Sequence, residues 1–218
     1  MNTIIDRYNK INSFINEQGK KDLVNVIAIS KTFTFDYIKP LIDHGHKHFG
    51  ENKVQEALLK WRVFKKNNAS IKLHMVGKLQ SNKAKKAVEL FDFIHSLDNE
   101  KLAISLSDAE QKLSKNLKYF IQVNTGLEKQ KSGISSASLN EFYNYCVREK
   151  KLDVIGLMSI PPNDGNSDMH FKTLAELNSS LSLRDISMGM SNDYKNALNH
   201  GSTFLRIGSS IFGKRSKE

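Results

Sequence analysis

The sequence predicts an α/β fold, a single closed (β/α)8 barrel of the TIM type with one extra helix in front. Short β-rich apolar runs alternate with longer amphipathic segments along the whole chain, which is the pattern of a parallel sheet. Eight such runs with seven intervening segments match the repeat number of a closed barrel, and 218 residues lie near the short end of its range. No composition break marks a second domain, so residues 1–218 read as one. An open doubly wound sheet is the alternative that the same alternation allows.

The leading segment, "MNTIIDRYNKINSFINEQGKK", mixes Asp6, Arg7, Lys10 and Glu17 with its apolar residues. It reads as an amphipathic helix and lacks the apolar stretch of a signal peptide. Strand 1, at 23–30 (LVNVIAIS), is almost continuously apolar, as a strand buried on both faces should be. A helix at 35–44 leads to strand 2 at 46–49 (HKHF). The helix at 52–67 has the clearest helical spacing, with Val54, Ala57, Leu58 and Trp61 on one face. Strand 3 at 71–76 (IKLHMV) and strand 4 at 91–96 (FDFIHS) are joined by a helix at 81–88. A helix at 99–115 precedes strand 5 at 118–124 (KYFIQVN), and a helix at 136–150 precedes strand 6 at 152–158 (LDVIGLM). Helices at 167–181 and 193–199 flank strand 7 at 184–188 (RDISM), and strand 8 is 202–207 (STFLRI). Gly45, Gly126, Gly201 and Gly208 punctuate element ends as turn residues do.

The apolar runs are strand-sized, far short of the ~20 residues a membrane-spanning helix needs. The single cysteine, Cys146, excludes an internal disulfide framework and suits a reducing compartment, so a cytoplasmic location is expected. The net charge of +10 raises nucleic acid as a partner. However, the lysines are spread along the chain. The densest groups are Lys83, Lys85 and Lys86, and the tail Lys214, Arg215 and Lys217; neither is interleaved with aromatic residues. A solvated basic surface, or an anionic small ligand, fits better than a nucleic acid.

A barrel of this kind works at the C-terminal ends of its strands. There the sequence places Lys31 after strand 1, "GEN" 50–52 after strand 2, "SMGMS" 187–191 after strand 7 and "RIGSS" 206–210 after strand 8. The last two suit a phosphate cup. Gly189 and Gly208 allow close backbone approach, Ser187, Ser191, Ser209 and Ser210 offer hydroxyls, and "IFG" 211–213 suggests a short final helix. A lysine drawn partly out of water can shed its proton and attack a carbonyl to form a Schiff base. Cup and lysine together suggest a phosphorylated aldehyde, either pyridoxal 5′-phosphate (PLP) or a phosphosugar of a class I aldolase.

The blocks "AISKTF" 28–33, "HFGENKVQE" 48–56, "HMVGKLQSNK" 74–83, "VNTGLEKQKSGI" 123–134, "GLMSIPP" 156–162 and "SMGMSNDYKNALNHGSTFLRIGSSIFGKR" 187–215 follow in that order. Together they resemble the YggS/PROSC family of pyridoxal phosphate homeostasis proteins, from about residue 22 to residue 215. The resemblance implies a barrel like the N-terminal domain of alanine racemase. It also implies that Lys31 holds PLP as a Schiff base, that Ser191, Gly208 and Ser209 bind its phosphate, that Arg206 lies beside the pyridine nitrogen, and that Asn52 lines the pocket. Two positions depart from the family's pattern: serine stands at 209 where many relatives have threonine, and lysine at 78 where proline is common. Arg206 beside the ring nitrogen would stay protonated and, unlike a carboxylate, would not favour a protonated ring nitrogen, which restrains carbanion chemistry.

The implied role is a non-catalytic PLP carrier that buffers the cofactor and delivers it to PLP-dependent apoenzymes, acting as a monomer. The alternative is a PLP-dependent, racemase-like enzyme, disfavoured because the chain ends at Glu218, soon after strand 8, with no second domain to supply an opposing catalytic group. His44, His46 and His48, with Glu51 nearby, have strand spacing for zinc but no outlying ligand, so no metal is expected. His74 and His95 read as hydrogen-bonded core residues, His170 and His200 as helix residues without a visible partner, and Cys146 as packing.

Overall fold

The computed structural model describes residues 3–126, 132–162 and 164–213. Eight parallel strands close a barrel in chain order: β1 (Asn25–Ile29), β2 (His48–Glu51), β3 (Lys72–Met75), β4 (Phe93–Leu97), β5 (Lys118–Gln122), β6 (Asp153–Met158), β7 (Asp185–Met190) and β8 (Phe204–Ile207). β1 pairs with both β2 and β8, which closes the ring. The expected fold class is therefore the observed one. The lysine-rich tail at 214–217 lies outside the described residues.

Around the barrel lie α1 (Thr3–Glu17), α2 (Phe35–Asp43), α3 (Val54–Asn67), α4 (Ala84–Leu90), α5 (Glu100–Leu113), α6 (Leu139–Asn144), α7 (Ser167–Ser180), α8 (Tyr194–Asn199) and α9 (Ser209–Phe212). α1 is the extra leading helix and buries Ile4, Ile11 and Ile15 on one stripe. Thr34 caps α2 by accepting from the Tyr37 amide (3.4 Å), and Asn99 caps α5 by accepting from Leu102 (2.9 Å). Three elements depart from the sequence reading. The helix expected at 81–88 begins as a 3-10 turn over Ser81–Lys83 before α4. The one expected at 136–150 starts only at Leu139 and widens into a π-turn over Tyr145–Glu149. Strand 2 sits two residues later than expected, because His46 turns its ring to Tyr8 Oη (2.9 Å) and the His48 carbonyl (2.7 Å).

Alternation along the strands sorts the core into two layers. Val26 and Ala28, with Leu205 and Ile207, face the helices, whereas Ile27, Ile29 and Phe204 join Phe120 and Met158 inside the barrel. Continuing the inward parity one step past β1 and β8 reaches Lys31 and Gly208, so the mouth is built by the same pleat as the core.

Imidazoles lie in the barrel interior (His48, His74 and His95) and against α1 (His46). Burial lowers the pKa of His46 to about 4, lowers that of His48, and holds His74 and His95 well below the usual histidine value. These groups bind fewer protons folded than unfolded. Their contribution to stability is therefore complete above pH 6.5 and is lost as pH falls below 6.5, for His46 down to about 4. The unfolding free energy in urea is expected to be level from pH 7 to 8. Below pH 6.5 it should fall by up to ~1.4 kcal/mol per pH unit for each buried histidine. Asp98 and Glu110, whose pKa values burial raises, act in the opposite sense but in the carboxylate range. A level profile down to pH 5.5 would contradict the burial of these rings.

Candidate functional site

At the C-terminal mouth of the barrel lies a cavity of about 1110 Å³. Its walls bring together Lys31, Asn52, Ser191, Arg206, Gly208 and Ser209, six of the seven site residues read from the sequence. Phe33, Val76, Ile160, Pro161, Pro162 and Met190 supply its apolar surface.

Lys31 is half-buried in the turn that leaves β1, and the next residue, Thr32, has φ 69°. A β-branched residue is strained in that left-handed region, so the turn is held by its surroundings. The hold comes from Glu51 and Lys60. Glu51 is fully buried, and one of its oxygens accepts from Ser30 Oγ (2.7 Å), Lys60 Nζ (2.9 Å) and Trp61 Nε1 (2.9 Å). Lys60 Nζ also donates to the Ser30 carbonyl (2.7 Å), and the Ser30 amide donates to the Gly50 carbonyl (2.9 Å). The residue before Lys31 is thereby fixed at its side chain, amide and carbonyl. Asn52 is held from the other side by the end of β3: a Cβ on Gly77 would lie 2.3 Å from the Asn52 carbonyl oxygen, so only glycine permits that approach.

Beside Lys31, past the ends of the next two strands, the loops after β7 and β8 are tied together. Ser191 Oγ accepts from the Gly208 and Ser210 amides (3.2 Å each), and Ser210 Oγ donates to the Ser191 carbonyl (3.3 Å). Backbone N–H groups of the second loop thus already face an oxygen, which is the chemistry of an anion cup.

Arg206 forms the floor. It is buried, and its guanidinium donates to the Ser187 carbonyl (2.7 Å), Ser187 Oγ (2.8 Å) and the Ser159 carbonyl (2.8 Å). No carboxylate among the described residues forms an ion pair with it. Burial lowers its pKa to about 10, and the charge of Asp193 opposes that shift. At that value the guanidinium still carries its charge near neutral pH.

Two expectations are corrected. Ser187 does not line the cavity: it is fully buried in β7, with its hydroxyl engaged by Arg206 and by His95 Nδ1 (2.9 Å). It stands behind Arg206 rather than in the cup. Gly189 is required by packing, not by an approaching anion, because its φ is +87° and a Cβ would lie 2.5 Å from Ala197 Cβ. His170 and His200, which showed no partner in the sequence, meet Asp164 Oδ2 (3.1 Å) and Asp168 Oδ1 (2.7 Å). Sequence reasoning also missed the Glu51–Lys60–Trp61 cluster. Its signal was present in helical register: Lys60 and Trp61 fall beside the buried face of α3 that begins at Val54 and Ala57.

Residues 6–216 match the family described as alanine racemase, N-terminal domain. The pyridoxal phosphate homeostasis protein of Vibrio cholerae is 39% identical over 202 residues, covering 88% of this chain and 86% of that protein. The solved structure of PipY from Synechococcus elongatus with PLP bound superposes with a TM-score of 0.87 at 32% identity, covering 96% of this chain and 100% of that one. An alanine racemase of Clostridium difficile superposes with a TM-score of 0.78 at 9% identity, a likeness of fold alone, with this chain spanning 58% of that enzyme.

Proposed function

The chain belongs to the family of pyridoxal phosphate homeostasis proteins, and we propose that it binds PLP in the mouth cavity, as a Schiff base with Lys31. The observation that carries this reading is that one lysine and one N–H-lined cup share a single cavity, at the ends of the adjoining strands β1 and β8. The residues present fit the group. Asn52 Oδ1 at the cavity wall is buried without a hydrogen-bond partner among the described residues, and a polar ligand would relieve that cost.

Bound PLP supplies an aldehyde that an amine can hold and a ring that accepts electrons. Lys31 would provide the amine, with Glu51 and Lys60 fixing the turn that presents it. Ser191, Gly208 and Ser209 would bind the phosphate, and Asn52 would pack against the ring. Arg206, which donates hydrogen bonds and accepts none, would keep a neighbouring ring nitrogen unprotonated. The apolar wall of Ile160, Pro161 and Met190 would limit access of water.

Holding suits this cavity better than turnover. Among its described lining residues the titratable groups are Lys31, Asp193 and Arg206; Asp193 already accepts from the Met190 amide (2.6 Å). No tyrosine, histidine or cysteine stands in that lining to act as an opposing acid or base. The proposed role is therefore to store PLP and pass it to PLP-dependent apoenzymes. The test is paired: titration with PLP and with pyridoxal, which lacks the phosphate, followed by mixing of the loaded protein with an apoenzyme. PLP should produce a yellow complex at least ~100-fold tighter than pyridoxal, because charge-assisted N–H contacts to phosphate are lost in the latter. Equal affinities would remove the cup from the site, and failure to restore the apoenzyme's activity would remove delivery from the role.

A further inference from the structure

The barrel interior contains a column of polar groups that the cavity does not account for. Below Arg206, Ser187 Oγ lies 2.9 Å from His95 Nδ1; His95 Nε2 lies 2.9 Å from His74 Nδ1; and His74 Nε2 lies 3.0 Å from His48 Nδ1. The column runs from the cavity floor to the first residue of β2, at the opposite mouth of the barrel. Its rings are fixed by stacking, His95 on Phe120 (centroids 4.3 Å, 16°) and His74 on Phe93 (4.2 Å, 10°).

Counting protons gives the column a direction. The guanidinium can only donate, so Ser187 Oγ accepts from Arg206. Its own hydroxyl proton then has one remaining partner, His95 Nδ1, and a fully buried hydroxyl without an acceptor would be costly. His95 must therefore carry its proton on Nε2 and donate to His74 Nδ1. By the same logic His74 donates from Nε2 to His48 Nδ1. Every bond points away from Arg206, and every neutral ring turns its lone-pair end towards the guanidinium. Burial supports neutrality, since His74 and His95 are held well below the usual histidine pKa.

We propose that Ser187, His95, His74 and His48 form a one-way hydrogen-bond chain that positions the Arg206 guanidinium and offsets its buried charge in place of a carboxylate. A carboxylate at that position would neutralise the arginine; aligned imidazole dipoles stabilise the charge and leave it positive towards the cavity. The three histidines are thus positioning residues of the cavity floor, acting through Ser187. This assignment depends on the contacts of Arg206 and stands whether or not the cavity takes PLP.

The test uses the protein without added cofactor. Imidazole ring correlation spectra of the uniformly 15N-labelled chain at pH 7.5 should show His48, His74 and His95 as Nε2–H tautomers, with Nδ1 unprotonated. His46 provides an internal reference, because its Nε2 faces the His48 carbonyl and must donate to it. An Nδ1–H tautomer or an imidazolium at His74 or His95 would overturn the proposal. Two variants separate positioning from packing. In His74→Gln the amide can still accept from His95 and donate to His48, whereas His74→Leu breaks both links. Hydrogen exchange at the Arg206 guanidinium should quicken by ~10-fold in His74→Leu and return near the parent rate in His74→Gln. Equal exchange in both variants and the parent would also overturn it. Should His74→Leu fail to fold, the tautomers of the parent protein decide alone.

Discussion

Replacing Lys31 by alanine is expected to abolish retention of PLP through gel filtration and to remove the yellow colour of the loaded protein. The remaining contacts at Ser191, Gly208, Ser209 and Arg206 would still recognise phosphate and ring, so weak, colourless binding should persist. The loss in affinity should be at least ~100-fold, or roughly 2.7 kcal/mol, because a covalent link is exchanged for none. The fold should be little affected. Lys31 is half-buried in a turn, and the anchors of that turn, Ser30, Glu51 and Lys60, are unchanged in the variant. A melting midpoint near that of the parent, together with lost retention, is the expected pair of results. Retention at parental affinity would remove Lys31 from the site.

Replacing Glu51 by alanine should have the largest effect on stability. The carboxylate is fully buried and serves Ser30 Oγ, Lys60 Nζ and Trp61 Nε1 from a single oxygen. Its removal leaves the nearly buried Lys60 ammonium without a counter-charge. Breaking a buried pair from one side costs about 3–5 kcal/mol, most of it the penalty on the stranded partner. The double variant Glu51→Ala/Lys60→Met should recover part of that loss, since no buried charge then remains. Trp61 is the only tryptophan, so its emission reports the change directly, and urea denaturation measures it. Glu51→Ala should also weaken PLP retention, because the Ser30–Lys31 turn loses the bond at Ser30 Oγ and the counter-charge that holds Lys60 on the Ser30 carbonyl. A cost below ~1 kcal/mol would show that the cluster does not hold the turn.

The parts of the site legible in the sequence were those in which one residue contradicts its surroundings. Lys31 is a charge at the end of the run Val26–Ile29, and a barrel strand places its chemistry at that end. "SMGMS" and "RIGSS" were legible because glycine and serine are clustered at matching strand ends. Ser187 was misjudged for want of phase: it belongs to β7 itself, which extends to Met190, and an inward-facing residue one layer down meets Arg206 rather than a ligand. His74 and His95 were legible as hydrogen-bonded core residues, which they are, but their joining with His48 into one column was not, for a related reason. His48, His74 and His95 are far apart in the chain, and only the stagger of β2, β3 and β4 stacks them across the barrel. The late start of β2 followed from a side-chain bond, His46 to Tyr8 on α1, that no local pattern encodes.

The central claim is that Lys31 holds PLP covalently. The direct measurement is borohydride reduction of the PLP-loaded protein, followed by digestion and mass analysis of the peptides. A pyridoxyl phosphate adduct confined to the peptide containing Lys31, at close to one per chain, is the expected result. An adduct spread over the surface lysines, or a loaded protein that borohydride leaves unmodified, would contradict the claim.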